Sequence, residues 1–428
     1  MRPRQYRVIA LCIALNAVDG FDILAISYAA PGIARDWGID MAALGVVLSM
    51  ELVGMALGSL LLGRLADRTG RRPAVLACLA IMALGMAACG RARAVGTLAA
   101  LRLLTGLGIG GMLSAASALV AECSNRRSRA AATAIAAAGY PLGGATGGIV
   151  ASIALAQGDW HRVFTLGAIA SGGLLALALA LLPETPAFLL QRRASLSRLN
   201  RSLAALGHAP LVQLPHQGPV APPEPLARLF APAVRGTTLA LTLAYFCHVT
   251  TFYFVLKWVP KIVVDFGFTP AQAGRVMVAV SAGGLAGALL ASLLSLRIPP
   301  RRLAIAGTLL GALAVAGFGL APRTLPALLW AGAVAGFCTN GALVLFYALV
   351  AEAFPTALRG TGTGLVIGIG RGGAALGPVI AGVLLQAGAG VATVTQAMAA
   401  GCLLAALVLL AWRGPTASAA PARSAPTA

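Results

Sequence analysis

The chain has 428 residues, of which 59% are hydrophobic and 10% charged, and its mean hydropathy is +0.88. Ordinary soluble domains carry about 25% charged residues, so no water-soluble fold has enough interior for this composition. A formal charge of +20 invites a nucleic-acid reading, but the bases sit in short loops between apolar runs, with no basic groove or aromatic platform, and that class is set aside.

In chain order, apolar stretches of roughly 20 residues, the length that crosses a hydrocarbon core, fall at 8–30, 42–63, 74–90, 95–122, 130–157, 163–182, 236–259, 270–296, 303–320, 325–353, 361–388 and 391–412. They predict an all-α membrane protein of twelve spans, divided into an N-terminal six-helix bundle (1–182), a cytoplasmic linker (183–235), a C-terminal six-helix bundle (236–413) and a disordered cytoplasmic tail (414–428). Met1-Arg2-Pro3-Arg4 is basic like the start of a signal peptide, but no small-residue cleavage site precedes Asp19, so the first span is read as retained.

The bases alternate by loop. One set holds Arg2, Arg4, Arg7, Arg64, Arg68, Arg71, Arg72, Arg126, Arg127, Arg129, six linker arginines, Arg297, Arg301, Arg302, Arg359, Arg413 and Arg423. The other holds only Arg35, Arg91, Arg93, Arg162, Lys257, Lys261, Arg275 and Arg323. The positive-inside rule then puts both termini in the cytoplasm, in the inner membrane of a cell, and agrees with an even number of spans.

Seven cysteines form no CxxC pair and lie mostly in spans, which predicts apolar packing and neither disulfide nor metal. Gly106-Leu107-Gly108-Ile109-Gly110-Gly111 fits the dinucleotide fingerprint, but that motif needs a preceding strand. Inside an apolar helix its glycines are expected to let helices approach closely, as are the other small-xxx-small pairs.

An internal repeat at an offset of 230 residues organises the whole chain. Ala118-Leu119-Val120-Ala121-Glu122 recurs as Ala348-Leu349-Val350-Ala351-Glu352, Arg129 falls on Arg359, and Arg71-Arg72 on Arg301-Arg302. Parallel repeats of this kind place a substrate near the midplane, between the halves. The charges inside spans do not repeat: Asp19 falls on Val249, Asp22 on Phe252, Glu51 on Ser281, Arg102 on Gly332 and Arg371 on Pro141. The duplicated loops are therefore expected to serve conformational switching, and the unduplicated charges to serve substrate and coupling ion.

Asp19 and Asp22 lie three apart on one helix face, near the middle of the first span. An acid there costs on the order of 3 kcal/mol, and such residues mark ion pathways. Proton coupling is the expected role of both, with a permanent ion pair to an arginine as the alternative. Arg102 and Arg371 are deep in spans four and eleven, and a guanidinium can hold a carboxylate by two parallel hydrogen bonds. Arg371 comes from the half opposite the acids and is the expected anchor of a substrate anion. Arg102 either shares that role or neutralises Asp22 or Glu51.

The loop Gly63-Arg64-Leu65-Ala66-Asp67-Arg68-Thr69-Gly70-Arg71-Arg72 resembles the signature of the major facilitator superfamily. So do Arg102-Leu103-Leu104-Thr105-Gly106 in span four, Pro183-Glu184-Thr185-Pro186 after span six, and Glu352-Ala353-Phe354-Pro355-Thr356 leading to Arg359-Gly360. Asp19-Gly20-Phe21-Asp22, taken with Gly368-Ile369-Gly370-Arg371-Gly372-Gly373-Ala374-Ala375-Leu376-Gly377-Pro378, resembles the DGxD and GIGRxGAxxGP-like motifs of the aromatic acid:proton symporters. The resemblance implies the major facilitator fold and import of a benzoate- or hydroxybenzoate-type anion with protons. Glu51, a buried acid, belongs to no motif of that family and its role is left open.

At the cytoplasmic rim, Asp67, Arg68, Arg71, Arg72, Glu122, Arg129, Glu352 and Arg359 are expected to make and break ionic contacts between access states. His248 and Tyr245 in span seven fall opposite the acid pair under the repeat; a histidine there can face substrate or be hydrogen-bonded in packing. Phe252, Tyr253, Phe254 and Trp258 either face an aromatic ring or form an interface belt. The partners expected are the organic anion, protons and the bilayer, for a monomer without cofactor. An exporter of drugs or metabolites is disfavoured by the deep arginines, and a non-transporting metabolite sensor by the repeat. No nucleophile–base set supports an enzyme.

Overall fold

Backbone that cannot reach water must bond within its own segment, and this chain meets that demand with helices. The structure, a computed structural model, describes residues 1–125, 128–156, 158–214, 225–355, 358–412 and 414. Arg126, Arg127, Arg413, Arg423 and, apart from Gly414, the tail expected at 414–428 lie outside the described residues.

The N-terminal half comprises α1 (Pro3–Trp37), α2 (Met41–Thr69), α3 (Arg71–Cys89), α4 (Val95–Cys123), α5 (Arg129–Ala137), α6 (Gly139–Leu155) and α7 (His161–Leu181). Two short helices follow in the linker, α8 (Pro186–Gln191) and α9 (Leu196–Ala205). The C-terminal half comprises α10 (Arg235–Asp265), α11 (Pro270–Leu294), α12 (Pro300–Leu320), α13 (Leu325–Ala353), α14 (Arg359–Gln386) and α15 (Val391–Ala411). Among the described residues twelve helices are long and apolar enough to span a membrane, as the sequence predicts. The repeat survives in the boundaries: shifted by 230 residues, α4 coincides with α13 and α7 with α15 at both ends.

Two expectations are corrected in detail. The run read as one helix over 130–157 is two, α5 and α6, meeting at Ala138. Pro141 has no N–H for the carbonyl one turn back, and this is where the helix breaks. The seventh span does not end near 259: α10 continues through Pro260 to Asp265. Lys257, Pro260 and Lys261 look like a helix leaving the membrane, but Lys257 is buried and Lys261 pairs with Asp265 one turn on. Trp258 accordingly is buried, donating to the Pro378 carbonyl at 3.0 Å, and is no interface anchor.

Within each half, glycine brings helices into backbone contact. A Cβ on Gly106 would collide with the Glu51 carbonyl, and one on Gly336, its repeat mate, with the Val280 carbonyl. The fingerprint-like glycines thus fasten α4 to α2. Gly106→Ala is expected to cost about 1–3 kcal/mol through this overpacking. Gly96→Ala, where a Cβ meets open space, should cost nothing. Thermal unfolding in detergent checks the contrast, and equal midpoints for the two variants would refute it.

The halves meet most closely toward the end of the bundle that carries Asp40. There Gln386 Oε1 accepts from the Met41 amide at 3.0 Å, and Gly45 and Gly382 bring α2 and α14 into backbone contact. The hydrogen bond of Gln386 with Met41 and the links of Lys257 to Glu51 and Ile23 join the halves here. Toward the Asp67 end, Gly364 and Gly368 of α14 face open space.

Candidate functional site

Asp19 and Asp22 point from one face of α1 into the N-terminal bundle, 2% and 0% exposed. Asp22 Oδ2 accepts from Ser171 Oγ of α7 at 3.3 Å, and Gly167 leaves the room that Oδ1 occupies. Neither oxygen of Asp19 has a hydrogen-bond partner among the described residues.

Arg102 reaches toward the same place from α4. Its Nη2 donates to the Asp22 carbonyl at 2.8 Å, its guanidinium lies 5.8 Å from the Phe164 ring centre, and it forms an ion pair with Glu51. The second cation on Glu51 is Lys257, whose Nζ lies 2.9 Å from Oε2 and also donates to the Ile23 carbonyl. All three charged side chains are 0% exposed. Lys257 is therefore no outer-loop base, because its position beyond several aromatic residues hid a partner 206 residues away. Glu51, left without a role by the sequence, is the shared counter-ion of two cations from opposite halves.

Arg371 is only half-buried on α14, and among the described residues no acid pairs with it. Its charge is felt by Tyr245 and Tyr253 of α10, and Tyr253 in turn lies near Tyr140 of α6 and Tyr347 of α13. Tyr245 donates to the Tyr347 hydroxyl at 3.4 Å. The guanidinium thus faces two phenols of α10, which in turn lie near a third on α6 and a fourth on α13. Beside them a cavity of about 30 Å³ is lined by Tyr140, Phe252, Ser281, Thr339 and Asn340. Asn340 donates to the Gly284 carbonyl at 2.8 Å and has further capacity toward the cavity. The sequence singled out Tyr245 and Arg371 but missed Tyr140, Tyr347 and Asn340, which carry no motif.

His248 is completely buried inside the C-terminal half. Its Nε2 lies 3.0 Å from the Thr339 carbonyl, its Nδ1 3.4 Å from Cys402 Sγ, and its ring stacks on Phe346. Of the two roles left open for it, this geometry favours packing.

The rim residues form a network inside the N-terminal half. Arg71 bridges Asp67 at 2.6 Å and Glu122 at 3.1 Å, while Glu184 accepts from the Arg71 amide at 2.9 Å. Arg72 donates to the Leu179 carbonyl, and the Arg68 carbonyl accepts from Arg192. The repeat mates have diverged: Arg301 donates to the carbonyls of Leu409 and Leu410, and Glu352, Arg129 and Arg359 are exposed without an ion pair among the described residues. Asp67, with 68% of its side chain exposed, is the acid free to meet a new partner when the halves rock. Asp67→Asn should therefore reduce turnover severalfold with little change in substrate affinity. Rates and half-saturation constants in proteoliposomes check this, and weakened binding at unchanged turnover would move Asp67 to the substrate site.

A buried charge cluster on one side, an unpaired guanidinium on the other and two six-helix repeats around them describe a transporter's interior. The family model of the Major Facilitator Superfamily matches residues 12–239 and 241–427. The chain belongs to that superfamily. This facilitator is 32% identical over 425 residues to the gallate transporter of Pseudomonas putida, covering 99% of this chain and 95% of that one. It is 34% identical over 400 residues to the 4-hydroxybenzoate transporter PcaK of Pseudomonas aeruginosa, covering 91% and 88%. It is 30% identical over 411 residues to the 3-(3-hydroxy-phenyl)propionate transporter of Escherichia coli, covering 95% and 93%. Among solved structures it resembles a D-xylose-proton symporter with a TM-score of 0.75 at 16% identity, covering 95% of this chain and 97% of that one, a likeness of fold alone. The facilitator is thus a multi-pass membrane protein of a transporter family.

Proposed function

We propose that this facilitator imports a small aromatic carboxylate of the benzoate or hydroxybenzoate type by proton symport across a bacterial inner membrane. The observation that carries the reading is the guanidinium of Arg371, without an acid partner among the described residues, whose charge reaches Tyr245 and Tyr253, while Tyr140 and Tyr347 lie near Tyr253 and bring phenols from both halves. Such a set can grip a carboxylate by its two oxygens and hold an aromatic ring against phenol faces and phenol hydroxyls. Three relatives named for the transport of hydroxylated aromatic acids support the same class. In this reading Asp19 and Asp22 carry the proton, being two carboxyls buried on one face of α1 in mid-span. Arginine-rich loops assign both termini and the Asp67 rim to the cytoplasm, so the Asp40 end, where α2 and α14 touch, faces outward.

Uptake of labelled gallate, 4-hydroxybenzoate and benzoate into proteoliposomes, with and without an acid-outside pH gradient, tests the proposal. Gradient-driven accumulation above protein-free vesicles is expected for at least one acid. Binding without flux would return the protein to the sensor class, and acceleration of efflux by the same gradient would make it an exporter.

A further inference from the structure

Lys257 has no part in the transport cycle described so far, yet it is a fully buried cation that reaches from one half into the other. Its ammonium holds two atoms of the N-terminal half, Glu51 Oε2 at 2.9 Å and the Ile23 carbonyl. Those atoms are already linked within that half: Glu51 pairs with Arg102, and Arg102 donates to the carbonyl of Asp22, next to Ile23. The ammonium therefore closes a ring of contacts that includes the backbone of the proton-carrying segment. Lys257 interacts with Glu51 and Arg102, and the other titratable groups that feel Glu51 are Asp22 on α1, Cys89 on α3, Tyr140 on α6 and Tyr253 on α10. None of them is a cation that could replace Lys257 if α10 moved away, except Arg102, which Glu51 already holds.

We infer that Lys257 is a positioning residue for the coupling step, whose ammonium ties closure of the Asp40 end to the α1 segment bearing Asp19 and Asp22. The inference rests on the proton-symport reading. When the halves part at the Asp40 end, Lys257 leaves with α10, Glu51 keeps only Arg102, and the charges beside Asp22 rearrange. Opening outward and resetting the proton site then become one event. Neither can proceed alone.

Lys257→Met is a clean probe, because it preserves the apolar stem and leaves Glu51 paired with Arg102, so no buried acid is orphaned. The full-length protein is reconstituted, and 4-hydroxybenzoate is followed in two modes: accumulation driven by a pH gradient, and exchange at equal pH. For Lys257→Met, accumulation is expected to fall about tenfold or more while exchange falls by less than about threefold, the mark of a slipping cycle. Spin labels at Arg35→Cys and Ala387→Cys, on opposite halves of the Asp40 end, should report a shift toward longer distances. Lys257→Arg keeps the cation and should restore accumulation. Should Lys257→Met fail to insert, Lys257→Gln carries the same expectations.

Equal loss of accumulation and exchange, unchanged accumulation, or an equal defect in Lys257→Arg would overturn the inference. Wild type that exchanges 4-hydroxybenzoate but never accumulates it would instead overturn the proton reading and the inference with it.

Discussion

Asp19→Asn is expected to abolish concentrative uptake and to spare exchange. The side chain is buried in mid-helix with no partner for either oxygen among the described residues. Its contribution to the fold is accordingly small, and removing its charge does not hinder insertion. A proton that moves inward with a monovalent anion makes the step electroneutral, so one pH unit, acid outside, supports about tenfold accumulation. The sign follows directly: raising the external pH to the internal value should erase the gain, and alkaline outside should reverse it. Asparagine cannot exchange that proton, so the inside-to-outside ratio should fall to one at every pH gradient. Protein-free vesicles correct for passive entry of the undissociated acid. Asp22→Asn should behave similarly, with some added loss of stability because Ser171 loses a charged acceptor. Accumulation that persists in both variants would remove α1 from the coupling path.

Arg371→Lys is expected to weaken binding of the acid by about 1–3 kcal/mol, on the scale of charged hydrogen bonds, because lysine keeps the charge and loses the planar two-point grip. The guanidinium has no internal anion to release among the described residues, so the loss reports the substrate contact. The probe pair is 4-hydroxybenzoate and its neutral amide, measured by binding to the purified protein. Wild type should hold the amide poorly, and the substitution should leave amide affinity nearly unchanged. If acid and amide weaken together, Arg371 serves the packing of α14 on α10, and the carboxylate anchor must be sought elsewhere.

The spans were legible because hydropathy and length decide them, although α1, α2 and α10 run several residues past their expected ends because polar residues there are helical too. Asp19, Asp22, Arg102 and Arg371 were legible because a charge in an apolar run stands out by its cost. Lys257 was not, since it is followed by Pro260 and Lys261 in a segment that reads like the end of a span. Only the fold reveals that its ammonium ends on Glu51. Tyr140, Tyr347 and Asn340 were illegible for another reason. One tyrosine or asparagine in a span carries little energetic penalty, so nothing in the pattern separates a cavity wall from ordinary packing. The break at Ala138 was visible in Pro141 but was overridden by the apolar continuity around it.

The glycine contacts that lock α2 to α4, and α11 to α13, leave each half with little internal give. Deformation is then concentrated where the halves face each other, and the polar links there among the described residues include Gln386 to Met41, and Lys257 to Glu51 and Ile23. Those links, together with the close approach of α2 and α14, are what must part for the halves to rearrange. Under the proposed function, an aromatic acid that binds one arrangement some tenfold to hundredfold better than the other supplies roughly 1.4–2.8 kcal/mol toward moving that seam. Stiff halves are thus what allow so small a cargo to turn so large a machine.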